Sequence, residues 1–348
     1  MTAALCCLLG CLGSAGCGGP SAKPQTVWGH KGVQPGDFVR PRAIAIDAQD
    51  RLYIVDYTAR IQVYDADGKY LGPTWTTPDF RNGRPSGLSI DRDGHLIVSD
   101  SHYHCFRIYT AEGEELRHFG GEAGAKPGQF GYVSDVVQDA DGYYYVSEFG
   151  PNERITKLDA DGKLVLCWGE KGTEPGQFSH VRALALGPDG LLYVADACNH
   201  RIQAFTRDGT FVRAFGEAGR EPGQFARVRA MALGPDGLLY LADACNHRIQ
   251  VFTRDGKLVR HWGKQGSEPG ELSYPYDLAF GPKGELYVVE YDNHRVQKFT
   301  AEGKPLGCWG GPGRAPGMLH NPWALAVDSK GRVHVVDSEN HRVQRIRF

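Results

Sequence analysis

An all-β fold, a single seven-bladed β-propeller of four-stranded blades, is what three features of this 348-residue sequence predict. The chain repeats with a period near 47 residues. Each repeat carries four short β-type runs divided by turn signals. The last repeat stops after its third run, and the N-terminal residues match the missing fourth. A unit of this length with four strands is the mark of a propeller blade. No apolar stripe of helical period argues for stacked helix pairs.

The segment before the repeats comes first. Residues 1–17, MTAALCCLLGCLGSAGC, hold an apolar stretch from Ala3 to Leu12 followed by small residues, as a secretory leader does. A positive n-region is missing. Ser14-Ala15-Gly16-Cys17 resembles a bacterial lipoprotein processing site, which implies Cys17 as the lipidation residue. Leu8-Leu9-Gly10-Cys11 fits the short pattern better but leaves a very short apolar core, and an ordinary cleaved signal is the alternative. Residues 18–24 then read as a tether and 25–348 as the propeller. The expected location is extracytoplasmic, in the periplasm or at the bacterial cell surface, with the lipid as the only membrane attachment. After the leader, no apolar run approaches the roughly 18 residues of a membrane span.

Composition narrows the class. Lys+Arg is 39 and Asp+Glu 41, for a net charge of −2. That balance argues against a strongly basic nucleic-acid binder. Hydrophobic content of 41% with 23% charged residues is globular. The 46 glycines fit a chain of many turns. Nine cysteines divide into four in the leader and five in the body: Cys105, Cys167, Cys198, Cys245 and Cys308. Their odd number and wide spacing make a poor disulfide framework, so most are expected to be buried small hydrophobes.

The repeats themselves are explicit. Residues 170–216 and 217–263 are near copies. The acidic residue closing each second run marks the period: Asp56, Asp100, Glu148, Asp196, Asp243, Glu290 and Asp337, with gaps of 44, 48, 48, 47, 47 and 47. In the fourth copy the runs are Ala183–Leu186, Leu192–Ala195, Ile202–Thr206 and Phe211–Phe215. The first is almost wholly apolar, as a strand buried on both faces would be. Gln25-Thr26-Val27-Trp28-Gly29 matches Val259 to Gly263, the fourth run of the fifth copy. It is therefore expected to complete the last blade and leave no open edge in the ring.

Asn199-His200-Arg201-Ile202-Gln203 recurs at Asn246, Asn293 and Asn340. With the preceding Leu-Tyr-Val-Ala-Asp run and the closing glycine, these residues resemble the NHL repeat family. The resemblance covers nearly all of 25–348, although Thr58-Ala59-Arg60, Tyr103-His104-Cys105 and Asn152-Glu153-Arg154 depart from the motif. Most family propellers have six blades, which makes six the alternative count. The family includes RNA-binding and protein-binding domains, sensor domains and a zinc-dependent peptide-amidating lyase, so it implies a scaffold more than an activity. The lyase resemblance would put zinc-binding His at the start of inner strands. Here those positions are Arg182, Arg229, Tyr276 and Trp323, while His180 and His320 sit earlier, so that ligand set does not carry over.

Repetition also weakens other catalytic readings. His104, His200, His247, His294 and His341 stand around a ring and cannot meet on one ion. Asp196 and Arg201 are expected to pair locally and satisfy turn backbone groups. Pro175-Gly176-Gln177-Phe178 reads as a turn with a core-anchoring aromatic. No phosphate loop and no nucleophilic triad can be singled out. No cofactor and no metal are expected.

Positions that differ between repeats carry the functional signal. The residue starting each inner strand is Arg42, Ser86, Ser134, Arg182, Arg229, Tyr276 and Trp323. The residue after the acidic marker is Tyr57, Ser101, Phe149, Ala197, Ala244, Tyr291 and Ser338. If both rings face one channel mouth, it carries three arginines and several aromatics, suited to an anionic glycan, a peptide carboxylate or an acidic loop of a protein. The competing view pairs the arginines with Asp135 and Asp277. The expected function is a non-catalytic binding scaffold. A channel-mouth lyase or hydrolase, possibly metal-dependent, is the alternative, and RNA binding is the second alternative.

Overall fold

The computed structural model describes residues 23–78, 81, 85 and 87–348. Cys17 and the leader lie outside them. Seven antiparallel four-stranded sheets form the ring. Blade 4 shows the plan: Val181–Leu186 innermost, then Leu191–Asp196, Arg201–Thr206 and Phe211–Phe215 outermost. Three single 3-10 turns, Ser101–Tyr103, Ala244–Asn246 and Ser338–Asn340, are the helical content among the described residues. No described helix is long and apolar enough to cross a membrane.

Ring closure follows the sequence expectation. Thr26–Trp28 pairs antiparallel with Arg342–Ile346 as the outer strand of blade 7, with Trp28 opposite Val343. Side chains reinforce the junction of blades 7 and 1: Arg332 Nη1 lies 2.8 Å from Asp67 Oδ1, and the Ser329 hydroxyl donates to Asp50 at 2.6 Å.

The core lies between blades, not within them. One cluster joins Tyr193, Ala195 and Ile202 of blade 4 to Val228, Leu239 and Phe252 of blade 5. Two features depart from the sequence expectation. The inner strand is not buried on both faces, because one face of it lines the channel: in Val181–Leu186 only Val181 and Leu184 are buried and the other four residues are half-buried. The second strand, flanked by partners within its sheet and by sheets on both faces, is the buried one, as in Leu239–Asp243. The cysteines also differ from expectation. Cys105 and Cys308 are buried, but Cys167, Cys198 and Cys245 are exposed. Cys198 and Cys245 occupy turn tips after the second strand, and Cys167 lies on an outer strand, places where a side chain meets solvent.

The repeated motif residues hold the connection between blades. Asp196 accepts from the Ser179 N–H at 2.7 Å, Asn199 Nδ2 at 2.9 Å and Arg201 Nε at 2.9 Å. Arg201 in turn donates to the Glu174 and Gln177 carbonyls at 2.8 Å, and Gln203 Nε2 to Gln177 O at 2.7 Å. The buried Asp196–Arg201 pair is thus held by further hydrogen bonds on both partners, which is the condition for keeping an ion pair inside a protein. Phe178 and Phe225 of the Pro-Gly-Gln-Phe loops are fully buried, against Phe205 and Phe252 at 5.6 Å between ring centroids. Gly216, which precedes the second of these loops, has a φ of 90° and is crossed by the Phe225 ring. A Cβ there would meet that ring in a backbone region that L-residues avoid.

Candidate functional site

The mouth of the channel is built by a repeated irregularity. In blades 3 to 7 the inner strand shifts register against its neighbour between Val133/Asp135, Val181/Ala183, Val228/Ala230, Pro275/Asp277 and Pro322/Ala324. The residue skipped each time is Ser134, Arg182, Arg229, Tyr276 or Trp323. A bulge re-aims its side chain out of the sheet alternation, so the variable ring marked in the sequence is the ring the bulges displace.

One arc of the mouth is continuous. The Arg229 guanidinium lies over the Tyr276 ring at 3.9 Å and donates to its hydroxyl. Tyr276 stacks on Tyr291 at 5.5 Å and 25° and meets Trp323 at 5.8 Å. Arg42 sits over Trp323 at 5.0 Å and over Tyr57 at 6.0 Å. Blades 5, 6, 7 and 1 therefore share one cation–aromatic surface, a pattern that binds flat faces and leaves guanidinium N–H groups to meet anions. Phe149 stands apart from it, against Tyr132 at 5.3 Å and His180 at 4.3 Å. Arg182 touches no aromatic ring in this arc.

The other arc is electrostatic. Asp135 accepts from the N–H groups of Val136 and Leu184 at 2.9 Å, and Asp277 from those of Leu278 at 2.9 Å and Leu325 at 3.1 Å. Each carboxylate stitches one inner strand to the next. Protein surrounds both groups, although one side of each opens on the narrow channel. This burial pushes Asp277 up to about 6 and raises Asp135. Among the described residues, neither Arg182 nor Arg229 has a carboxylate at ion-pair distance. Burial and then the nearby Arg227 charge hold Arg182 below its ordinary range. Burial and then Arg182 push Arg229 down to about 9. Guanidinium groups stay charged in proteins, and these two sit in surroundings that a bound anion would relieve.

A third variable ring escaped the sequence reading. Two residues before Arg42 and before each of the five bulges stand Arg40, Tyr132, His180, Arg227, Tyr274 and Asn321. His180 was visible there, but only as a misplaced metal ligand. Four of these residues have left-handed backbones: Arg40, His180, Tyr274 and Asn321. Each donates its N–H to the motif residue of the preceding blade. Arg40 reaches His341 Nδ1 at 3.0 Å, Tyr274 reaches His247 Nδ1 at 3.1 Å, and Asn321 reaches His294 Nδ1 at 3.0 Å. In blade 3 Glu153 takes the histidine's place and accepts from the His180 N–H at 2.6 Å. His247, His294 and His341 are therefore latches between blades. Asp91, Asp93 and His95 are the one group of described residues close enough to hold a metal. Asp91 Oδ1 there accepts the Asp93 and His95 N–H groups of its own turn.

A family model for the NHL repeat matches residues 82–109, 178–205, 225–252, 272–299 and 319–346. These are blades 2, 4, 5, 6 and 7. A search of curated proteins finds no match. Among solved structures, a streptogramin B lyase is similar at 15% identity and a TM-score of 0.70, over 91% of this chain and 95% of that one. Virginiamycin B lyase from Staphylococcus aureus is similar at 17% identity and a TM-score of 0.71, over 89% and 96%. The WD40 propeller domain of Doa1 is similar at 16% identity and a TM-score of 0.67, over 93% and 95%. At these identities the likeness is one of fold.

Proposed function

The chain is an NHL-repeat propeller, and from that premise we propose that it is an exported, lipid-anchored, non-catalytic binding module whose channel mouth holds an anionic ligand with a flat face. The observation that carries this reading is Arg229, stacked on Tyr276 at 3.9 Å with its Nε buried and without a hydrogen-bond partner. Arg182 in the preceding blade adds a second cation with no carboxylate at ion-pair distance among the described residues. Trp323, Tyr276 and Tyr291 offer ring faces to a sugar or planar group, and the arginines offer donors to its carboxylate or phosphate.

The test is binding of hyaluronan oligosaccharides and of a poly-glutamate peptide, measured by calorimetry. Charge-assisted hydrogen bonds contribute about 1.5–3 kcal/mol each, so Arg182→Ala with Arg229→Ala is expected to weaken binding of the preferred probe at least a hundredfold while the fold survives. Unchanged affinity in the double variant overturns the mouth reading. Export is tested separately. Wild type should fractionate with membranes and incorporate labelled palmitate, and Cys17→Ser should lose both.

An enzyme is the second reading, favoured by one observation: the mouth brings together unlike titratable groups, with Asp277 pushed up to about 6 in the same channel as Arg229. A stoichiometric metal in elemental analysis, or consumption of quinupristin, the compound bound in one of the similar lyase structures, would favour it over simple binding.

A further inference from the structure

The joint between blades 4 and 5 lacks this latch. His200 of blade 4 should receive an N–H from Arg227, as His247 does from Tyr274. Arg227 is not among the residues with left-handed backbone. Its N–H turns instead to Asp243 Oδ1, at 3.4 Å. His200 Nδ1 is left buried and without a partner. Buried polar atoms are nearly always satisfied, and an exception asks what satisfies it.

A hollow of about 390 Å³ opens at this place. Its charged and polar lining is His180, Arg182, Cys198, His200 and Arg227, and none of the residues around it is acidic. The neighbouring carboxylates are already engaged: Glu153 with the Gly150 and His180 N–H groups, Asp196 with Asn199 and Arg201, Asp243 with Asn246 and Arg248. The positive charges crowd one another. After burial, Arg182, Arg227 and Arg229 are what keep His180 below its ordinary range. A single negative charge would leave one of the two lining arginines uncompensated.

We propose that this hollow is a subsite for a doubly charged oxyanion, a phosphoryl group, held by Arg182, Arg227 and His200. His200 would donate from Nδ1 to the oxyanion, and the two guanidinium groups would neutralise its charge. The inference rests on the mouth reading and deepens it, because it places the charged end of the ligand off the channel axis, between blades 4 and 5.

Cys198 supplies the readout. It is a free, exposed thiol on the wall of the hollow, and Cys245 is its counterpart at the latched joint of blades 5 and 6. The full protein is treated with iodoacetamide at pH 8 with and without methyl phosphate, and alkylation of each cysteine is followed by peptide mass spectrometry. Methyl phosphate should slow Cys198 at least threefold and leave Cys245 unchanged. His200→Ala and Arg227→Ala, each checked for native circular dichroism, should each lose that protection, whereas Arg229→Ala should keep it. Equal protection by acetate overturns the dianion chemistry. Protection lost in Arg229→Ala but kept in His200→Ala and Arg227→Ala overturns the subsite and leaves the mouth reading standing. Protection of Cys198 and Cys245 alike overturns both.

Discussion

Blades 4 and 5 are near copies in sequence, yet the joint between them and the joint between blades 5 and 6 differ in structure. Both begin with the same parts: an acid–Asn–His–Arg set, a turn on Pro-Gly, and a buried anchor, Phe225 at the first joint and Leu272 at the second. Asp243 and Glu290 accept the N–H that follows the anchor, from Ala226 at 2.9 Å and Ser273 at 2.8 Å. The two joints part company one residue later. Tyr274 takes a left-handed backbone and closes on His247, while Arg227 does not and leaves His200 alone. A repeat can therefore keep its whole supporting framework and still differ at its rim through one backbone angle. That is how neighbouring units of similar sequence acquire a dissimilar place.

The largest expected effects test whether the two joints really share a foundation. Truncating a buried aromatic or leucine costs about 3–5 or 2–5 kcal/mol respectively. Phe225→Ala and Leu272→Ala should both fall in those ranges in urea unfolding. A loss under about 1 kcal/mol for Phe225→Ala alone would mean that the joint of blades 4 and 5 is loose throughout, a different picture from an open rim over a firm base.

The acidic position gives the next contrast. Asp243 is bonded to Asn246, Arg248 and Gln250. Asp100, its counterpart in blade 2, is buried, but no described residue gives either oxygen a hydrogen bond, because Cys105 stands where the other blades have arginine. Arg107 Nε approaches only to 3.7 Å. Burial pushes Asp100 up to about 6 from 3.8. The folded state holds a proton that the unfolded chain releases at lower pH. The stability from this group is full below pH 3.8 and is lost as pH rises through about 6. Asn imitates the protonated acid, so Asp100→Asn should stabilise the protein by about 1–3 kcal/mol at pH 8 and leave it unchanged below pH 4. Asp243→Asn should destabilise it at pH 8. The same sign for both would remove the contrast.

A smaller pair of substitutions isolates the latch. His247→Ala strands the Tyr274 N–H and should cost about 1–2 kcal/mol. His200→Ala strands nothing and should stay within about 0.5 kcal/mol of wild type. Equal losses in thermal unfolding would mean that His200 is latched in solution.

What the sequence discloses follows from what repeats. The seven acidic markers, the closing strand at Thr26–Trp28 and the pairing of Asp196 with Arg201 are each written several times, or matched end to end, and are legible without coordinates. The two variable rings were legible as positions, since Arg229 and Tyr276 differ from their counterparts; their contact across the blade boundary was not, because it depends on the bulge that displaces each side chain. Apolar content misled where geometry decides burial: an Ala-rich inner strand looks like a core strand and in fact walls a channel. Cys198 and Cys245 looked like small hydrophobes until the turn tip exposed them. The hollow had no sequence signal at all. Ser179-His180-Val181 and Ala226-Arg227-Val228 read alike, and only the backbone angle at the middle residue separates a closed rim from an open one.

The finest test rewrites that residue. Asn321 occupies the equivalent place in blade 7, is left-handed at a φ of 48°, and donates to His294 at 3.0 Å. Asn enters the left-handed region more readily than Arg does. Arg227→Asn should therefore let the N–H at 227 turn to His200 Nδ1, adding about 0.5–1.5 kcal/mol of stability for one net hydrogen bond. The same change would remove one cation from the hollow and occupy the nitrogen that an oxyanion would use, so protection of Cys198 by methyl phosphate should vanish as stability rises. A gain in stability with protection intact would separate latch from subsite and place the anion on Arg182 alone. A loss of stability would mean that the backbone at 227 is set by its neighbours Ala226 and Val228, and that the difference between the two joints lies in more than one residue.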